Sequence, residues 1–246
     1  EPRRVASLPV ADRLYFRQLL SGRDFAVGDP MATQMINFVY LIGDRETGEA
    51  VVVDPAYRVA DLLEILDNDG LHLVGALATH YHPDHVGGSF VGHEIEGVAA
   101  LLERQPVKIH VNAAEAEWVR RTTGVSATDL ETHASGDIVE VGDIKIELLH
   151  TPGHTPGSQC FLVDGMLVSG DTLFLEGCGR TDLPGSNTGA MYESLQRLAA
   201  LPDDTTLFPG HRYSPPASAK MGEVKDLNFV FKPKTKQQWL QMFGAA

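Results

Sequence analysis

Runs of apolar residues, some alternating and some continuous, predict a mixed α/β protein. Met35 to Ile42 reads as a strand, Asp44 to Gly48 as a turn, and Ala50 to Asp54 as the returning strand of a hairpin that Pro55 ends. The period then changes. Val59, Leu62, Leu63, Ile65 and Leu66 share one face of a helix that stops at Gly70. Val74 to Thr79 is a short apolar strand. Beyond it the pattern predicts a helix over Glu94 to Arg104, a strand over Val107 to Val111 and a helix over Ala113 to Arg121. A second strand-rich block follows at Ile138–Val141, Ile144–Leu149, Cys160–Val163 and Met166–Ser169, with turns at Gly142-Asp143 and Asp164-Gly165. Asn187 is placed to cap a helix reaching about Ala200, and Thr205 to Phe208 is one more strand.

Two strand-rich halves, each followed by helices, imply two packed sheets with helices outside. No short repeat is visible. The expectation is one domain over residues 1–246, with an appendage from about 215, after Pro215 and Pro216, that ends in Gln237–Phe243.

The densest chemistry is Thr79-His80-Tyr81-His82-Pro83-Asp84-His85, directly after an apolar strand. In an extended segment His80 and His82 project to one side and can bind one ion. Pro83 then breaks the strand and turns Asp84 and His85 toward a neighbouring position. Two close imidazoles beside a carboxylate–imidazole pair are the layout of a two-ion site. His154, in Thr-Pro-Gly-His-Thr-Pro-Gly, follows the strand Ile144–Leu149. Asp171, in Ser-Gly-Asp-Thr, ends another strand, and His211 follows Phe208-Pro-Gly. All share one address, the carboxyl end of a strand, where function tends to sit. Thr79 and Thr155 are candidates for fixing imidazole orientation. His72, His110, His133 and His150 lie in or beside strands with no companion ligand at useful spacing and read as structural or surface residues. His93 follows the first cluster closely enough to reach its pocket.

Composition narrows the classes. With 43% hydrophobic and 22% charged residues the chain has the make-up of an ordinary globular protein. Its 33 acidic against 20 basic residues leave a net charge of −13, which argues against a nucleic-acid partner. The lysines from Lys225 to Lys236 read as a solvated C-terminal segment. No apolar run is long enough to cross a bilayer. Glu1 to Val5 lack a signal-peptide core, so the expected location is cytoplasmic. Two cysteines make no disulfide framework, and Cys160 reads as an inert core thiol.

The segments Thr79–His85, Thr151–Thr155, Gly170-Asp171-Thr172 and Gly210-His211 together resemble the metallo-β-lactamase superfamily. The resemblance runs from about Tyr15 to His211. It implies an αββα sandwich with metals at one edge of the paired sheets. It also implies that His80, His82 and His154 hold one ion, that Asp84, His85 and His211 hold the other, and that Asp171 bridges them. An aspartate at Asp171 and the stretch Gly177-Cys178-Gly179-Arg180 look like the glyoxalase II branch, in which Arg180 and Tyr213 would face a thiol-tripeptide substrate. Chemically, Arg180 suits a carboxylate held by two parallel hydrogen bonds, with an ion pair to Asp182 as the plainer role. Asn228-Phe-Val-Phe-Lys-Pro is similar to that branch's C-terminal substrate segment, with Lys232 in place of an arginine. Gly179-Arg-Thr-Asp and the hairpin from Phe38 look instead like persulfide dioxygenases, which keep one ferrous iron on the positions of His80, His154 and Asp171. The segment Phe90 to Gly124 matches neither group and is placed to reshape the pocket mouth.

The leading expectation is therefore hydrolysis of a small thioester or ester, such as a hydroxyacyl-thiol, by water that two divalent ions activate, with Asp84 accepting its proton. Zinc is the first expectation, with iron or manganese acceptable to the same ligands. The alternative is an oxygen-dependent persulfide dioxygenase with one Fe(II). The expected partner is a small-molecule substrate such as a thiol-tripeptide conjugate, with no nucleic acid and no membrane; a homo-oligomer is compatible with the sequence.

Overall fold

In the computed structural model, which describes residues 10–244, the run Phe38–Asp44 is a strand buried at every position. Its alternate side chains serve two cores. Val39 and Leu41 pack in a core shared with helices, whereas Phe38, Tyr40 and Ile42 pack against a second sheet. The segment Glu1 to Val5, read above for a signal, lies outside the described residues.

The first half comprises α1 (Val10–Arg13), β1 (Leu14–Leu20), α2 (Pro30–Met35), β2 (Phe38–Asp44), β3 (Glu49–Val53), α3 (Val59–Asn68) and β4 (His72–Leu77). Then come α4 (Pro83–Val86), β5 (Gly88–Phe90), β6 (His93–Ile95), α5 (Val98–Arg104), β7 (Lys108–Asn112), α6 (Ala116–Thr123) and β8 (Leu130–His133). The second half holds β9 (Ile138–Val141), β10 (Ile144–His150), β11 (Gln159–Val163), β12 (Met166–Gly170) and α7 (Thr188–Ala199). It closes with β13 (Thr206–Pro209), β14 (Ala219–Lys220), α8 (Met221–Leu227) and α9 (Lys236–Phe243).

One sheet runs β1-β2-β3-β4-β7-β8, antiparallel through β3 and parallel beyond it. The other runs β14-β13-β12-β11-β10-β9, antiparallel except for the parallel pair β12/β13. Val51, Val53 and Leu77 of the first sheet meet Ile146, Leu148, Phe161 and Val168 of the second in a shared core. Helices α3, α5 and α6 cover the outer face of the first sheet, and α7, α8 and α9 cover that of the second. This is the expected αββα sandwich. Trp239 of α9 is fully buried there, its indole N–H donating to the Thr188 carbonyl at 2.8 Å. No helix among the described residues is long and apolar enough to cross a membrane.

Several predicted boundaries shift, each for a local reason. Met35 is helical, not the start of a strand. Asp29 caps α2 by accepting the N–H groups of Met31 and Ala32 at 2.8 and 3.0 Å, and Pro30 opens the helix. Ile36 then turns left-handed, and the strand starts at Phe38. The strand β1 was not predicted, because Arg17 and Gln18 interrupt its apolar pattern; its pairing with β2 forms it. Glu94 and Ile95 belong to a β5/β6 hairpin, and the helix begins only at Val98. Gly97 breaks the predicted helix where its backbone presses on Val86, at a spot where a Cβ would lie 2.0 Å from the Val86 oxygen. The helix predicted from Ala113 begins at Ala116, since the Asn112 side chain accepts the Ala114 N–H and holds a turn.

Away from the strand ends that carry the chemistry, Arg13 clasps the buried Asp44 with Nε (3.1 Å) and Nη2, and Asp44 also accepts the Asp143 N–H at 2.9 Å. This ties the β2/β3 hairpin to the β9/β10 turn of the other sheet.

Candidate metal centre

The chemistry collects where parallel strands end. Strand β3 leads to Asp54, β4 to Thr79 and His80, β12 to Asp171 and β13 to His211. Carboxyl ends of strands in α/β sheets are where ligands bind, because loops there are free to vary over a rigid frame.

All seven predicted ligands converge. His80, His82 and His154 form one set of donor atoms, and Asp84, His85 and His211 form another. Within the first, His82 Nδ1 lies 3.0 Å from His154 Nε2. Within the second, His85 Nε2 lies 3.2 Å from His211 Nε2, and Asp84 Oδ2 is 3.4 Å from His211 Nε2. Asp171 stands between them, 3.8 Å from His154, 3.4 Å from His85 and 3.4 Å from His211.

Neighbours fix which nitrogen faces inward. His154 Nδ1 donates to the Arg180 carbonyl at 2.8 Å, and His211 Nδ1 donates to the Met35 carbonyl at 2.9 Å. His85 Nδ1 donates to Asp54 Oδ2 at 2.9 Å. The Thr79 hydroxyl gives its one proton to Asp54 at 2.6 Å, so its oxygen accepts from His80 Nδ1 at 3.0 Å. In its neutral form each of these four rings would therefore present Nε2 as a bare lone pair, the atom a metal ion would take in place of a proton. Asp84 is steadied by Asn37, whose amide donates at 3.1 Å while its carbonyl accepts the Tyr57 hydroxyl at 2.8 Å.

Asp54, Asn37 and Glu115 were missed from the sequence. A lone carboxylate or amide has no local signature; only the Asp at the end of an apolar strand, before Pro55, hinted at Asp54. The fully buried Glu115 accepts the Tyr81 N–H (2.8 Å) and the Thr155 hydroxyl (2.7 Å) on one oxygen, and the Gly157 N–H (2.6 Å) on the other. It clamps the His-Tyr-His segment to the Thr-Pro-Gly-His loop. Of the two threonines, Thr79 contacts its imidazole directly, whereas Thr155 contacts Glu115.

Burial sets one part of the field and the carboxylates another. Burial, with the neighbouring imidazoles, pulls His80 far below the usual histidine range and His82 down to about 4. Burial also opposes charge on His85, but Asp84 and Asp171 more than offset it and push His85 up to about 8. Burial raises Asp84 and Asp171, yet the adjoining His85 and His211 hold both below the carboxylate range. The donor set suits divalent metal ions. Five imidazoles and two carboxylates point at one another, and the buried His80 Nε2 and Asp171 Oδ1 have no hydrogen-bond partner.

A cavity of about 690 Å³ opens over the centre, with Met35, Phe90, Phe174, Leu183 and Phe229 as apolar walls. Phe90 thus brings the unmatched segment to the mouth. Tyr213 lines the cavity and stacks on His211, with ring centroids 4.7 Å apart and planes 4° apart. Arg180 is at the rim, its exposed guanidinium paired with Asp182 through two 2.9 Å hydrogen bonds. Lys232 does not line the cavity, because the turn Phe229–Phe231 carries its ammonium to the Asp226 carbonyl. His93 does not line the cavity either: hairpin β5/β6 carries it into a different depression, beside Asp29 and Arg58. Cys178 lines the cavity with its thiol pushed by burial up to about 12, and both cysteines are free.

Residues 32–211 match the metallo-β-lactamase superfamily, and the chain belongs to that superfamily of metal-binding enzymes. Among its relatives, the hydroxyacylglutathione hydrolase of Rhodopseudomonas palustris is 38% identical over 181 residues, covering 72% of this chain and 63% of that one. The mitochondrial persulfide dioxygenase ETHE1 of Bos taurus is 29% identical, covering 90% of this chain and 82% of that one. The crystal structure of ETHE1 from Myxococcus xanthus superimposes with a TM-score of 0.75 at 29% identity, covering 93% of this chain and 89% of that one.

Proposed function

We propose that the chain is a metal-dependent hydrolase of a small thioester or ester. The observation that carries this reading is the facing of two three-residue donor sets, His80/His82/His154 and Asp84/His85/His211, with Asp171 between them. Those residues would hold two divalent ions, with zinc the first choice and iron or manganese also suited, and such ions supply an acidified water and a Lewis acid for the carbonyl oxygen.

The chain's own groups do the rest. Asp84, held ionised by its imidazole neighbours and fixed by Asn37, orients the attacking water and takes its proton. The C–S bond then breaks, and a thiol with an ordinary pKa of about 8.5 leaves as thiolate with little help from an acid. The aromatic walls hold the acyl group and exclude bulk water. Tyr213 offers a hydroxyl donor, and Arg180 at the rim can exchange Asp182 for a substrate carboxylate, as a thiol-tripeptide conjugate would present. The test is turnover of a hydroxyacylglutathione by the full chain, before and after exhaustive chelation and reloading with zinc. Activity should vanish and return; activity that survives complete metal removal overturns the reading.

One observation favours a second reading. The alignment to the bovine persulfide dioxygenase covers 90% of this chain, against 72% for the hydrolase. On that reading one Fe(II) sits at His80, His154 and Asp171, a two-imidazole, one-carboxylate set. Oxygen uptake on glutathione persulfide, with one iron per chain and no thioester turnover, would select it.

A further inference from the structure

We propose that His110, His133 and Glu131 form a second transition-metal site, at the edge of the first sheet and sharing no residue with the centre above. Along the sequence neither histidine has a companion ligand at useful spacing. Parallel pairing of β7 with β8 supplies one, because it sets His110 opposite Glu131 and Asn112 opposite His133. Alternation then decides the face. Ile109, Val111 and Leu130 enter the helix-covered core, so His110, Glu131 and His133 all project from the other side.

The donor atoms meet. His110 Nδ1 lies 2.9 Å from His133 Nε2 and 3.9 Å from a Glu131 carboxylate oxygen, and all three donors lie within 4.8 Å of one another. Asp137 stands 3.7 Å from His133 Nδ1, which favours the proton there and leaves Nε2 bare toward His110. On β4, Gly75 leaves room for the ring: a Cβ there would come within 3.2 Å of His110 Nε2.

Two imidazoles at this distance can also share one hydrogen bond. A tetrahedral ion with metal–nitrogen bonds of about 2.0–2.1 Å holds its nitrogens roughly 3.3 Å apart, so the rings need part by only a few tenths of an ångström. Two imidazoles and one carboxylate, half-exposed, leave at least one position to water and suit Zn²⁺ or its neighbours in the first transition row. Bound there, the ion would staple the four-residue edge strand β8 to β7, the strand that runs directly into Glu115.

The experiment compares the full chain with the double variant His110→Gln/His133→Gln. Both are stripped by chelation, equilibrated with buffered free Zn²⁺ and assayed for bound zinc. The double variant should hold one ion fewer per chain, whatever the first centre holds. Equal zinc counts overturn the proposal. The exposed Glu131→Gln provides a variant that keeps both rings, should the double variant fold poorly. It should weaken the additional zinc at least tenfold, and an unchanged zinc isotherm also overturns the proposal.

Discussion

The Glu115 carboxylate accepts the Thr155 hydroxyl at 2.7 Å, joining the start of α6 to a loop forty residues later in the chain. The same carboxylate holds the Tyr81 and Gly157 N–H groups, so one buried side chain sets the spacing between His80/His82 and His154.

Glu115→Ala leaves the buried Tyr81 and Gly157 N–H groups without an acceptor, while the Thr155 hydroxyl can turn to Ser158 Oγ, 2.7 Å away. Each such loss costs about 1–3 kcal/mol, and local relaxation recovers part of it. The variant should be less stable by about 3 kcal/mol in urea unfolding and should retain less metal after dialysis. Glu115→Gln keeps one acceptor oxygen and should fall between wild type and Ala. A wild-type urea midpoint for Glu115→Ala would show that the clamp does not hold the loops.

Asp54→Asn removes the negative charge that receives the His85 Nδ1 proton and the Thr79 hydroxyl proton. Changes of this kind behind a metal ligand weaken metal affinity about 10–100-fold. Competition with a coloured chelator should show that loss, with far-ultraviolet circular dichroism unchanged.

The Arg13–Asp44 pair predicts an acid limb to stability. Burial opposes charge on Asp44, but the Arg13 guanidinium and the Asp143 and Glu46 N–H groups outweigh it and bring the carboxyl down to about 2. A carboxyl lowered in the folded state stabilises fully above its unfolded value of 3.8 and loses that contribution as pH falls toward 2. Asp44→Asn leaves Arg13 paired only with Asp143 and Glu46 and should lower stability at neutral pH. Urea titrations from pH 6 to pH 2 should find the gap between wild type and Asp44→Asn constant above about pH 5 and shrinking below it.

Arg180→Ala tests substrate recognition under the hydrolase reading. KM for a thioester whose thiol carries free carboxylates should rise about tenfold, with kcat nearly unchanged. KM for an uncharged thioester should stay put. Asp182→Asn frees the guanidinium and should move KM for the charged substrate the other way.

Much of the centre was legible because its signals are local. Three histidines and an aspartate in six residues after an apolar strand need no distant partner to be noticed. His154, Asp171 and His211 each sit just past a strand, beside a glycine, and shared that address before any contact was known. The sandwich was legible for a similar reason: period-two and helical runs of apolar residues report which faces must leave water. Lys232 was misplaced because a resemblance in local sequence carries no information on where a side chain points: the turn Phe229–Phe231 sends its ammonium to the Asp226 carbonyl. His93 is close to the cluster in sequence, but the β5/β6 hairpin carries it elsewhere.

Taken alone, the sequence determined the layers of the fold and the seven candidate ligands, since burial pattern and ligand type are properties of individual segments. Only the tertiary structure decided that Asp54, Asn37 and Glu115 support those ligands, and that His110 meets His133. Each of those contacts joins residues more than twenty positions apart, and strand register and loop path, which emerge only when the whole chain packs, determine whether such residues touch.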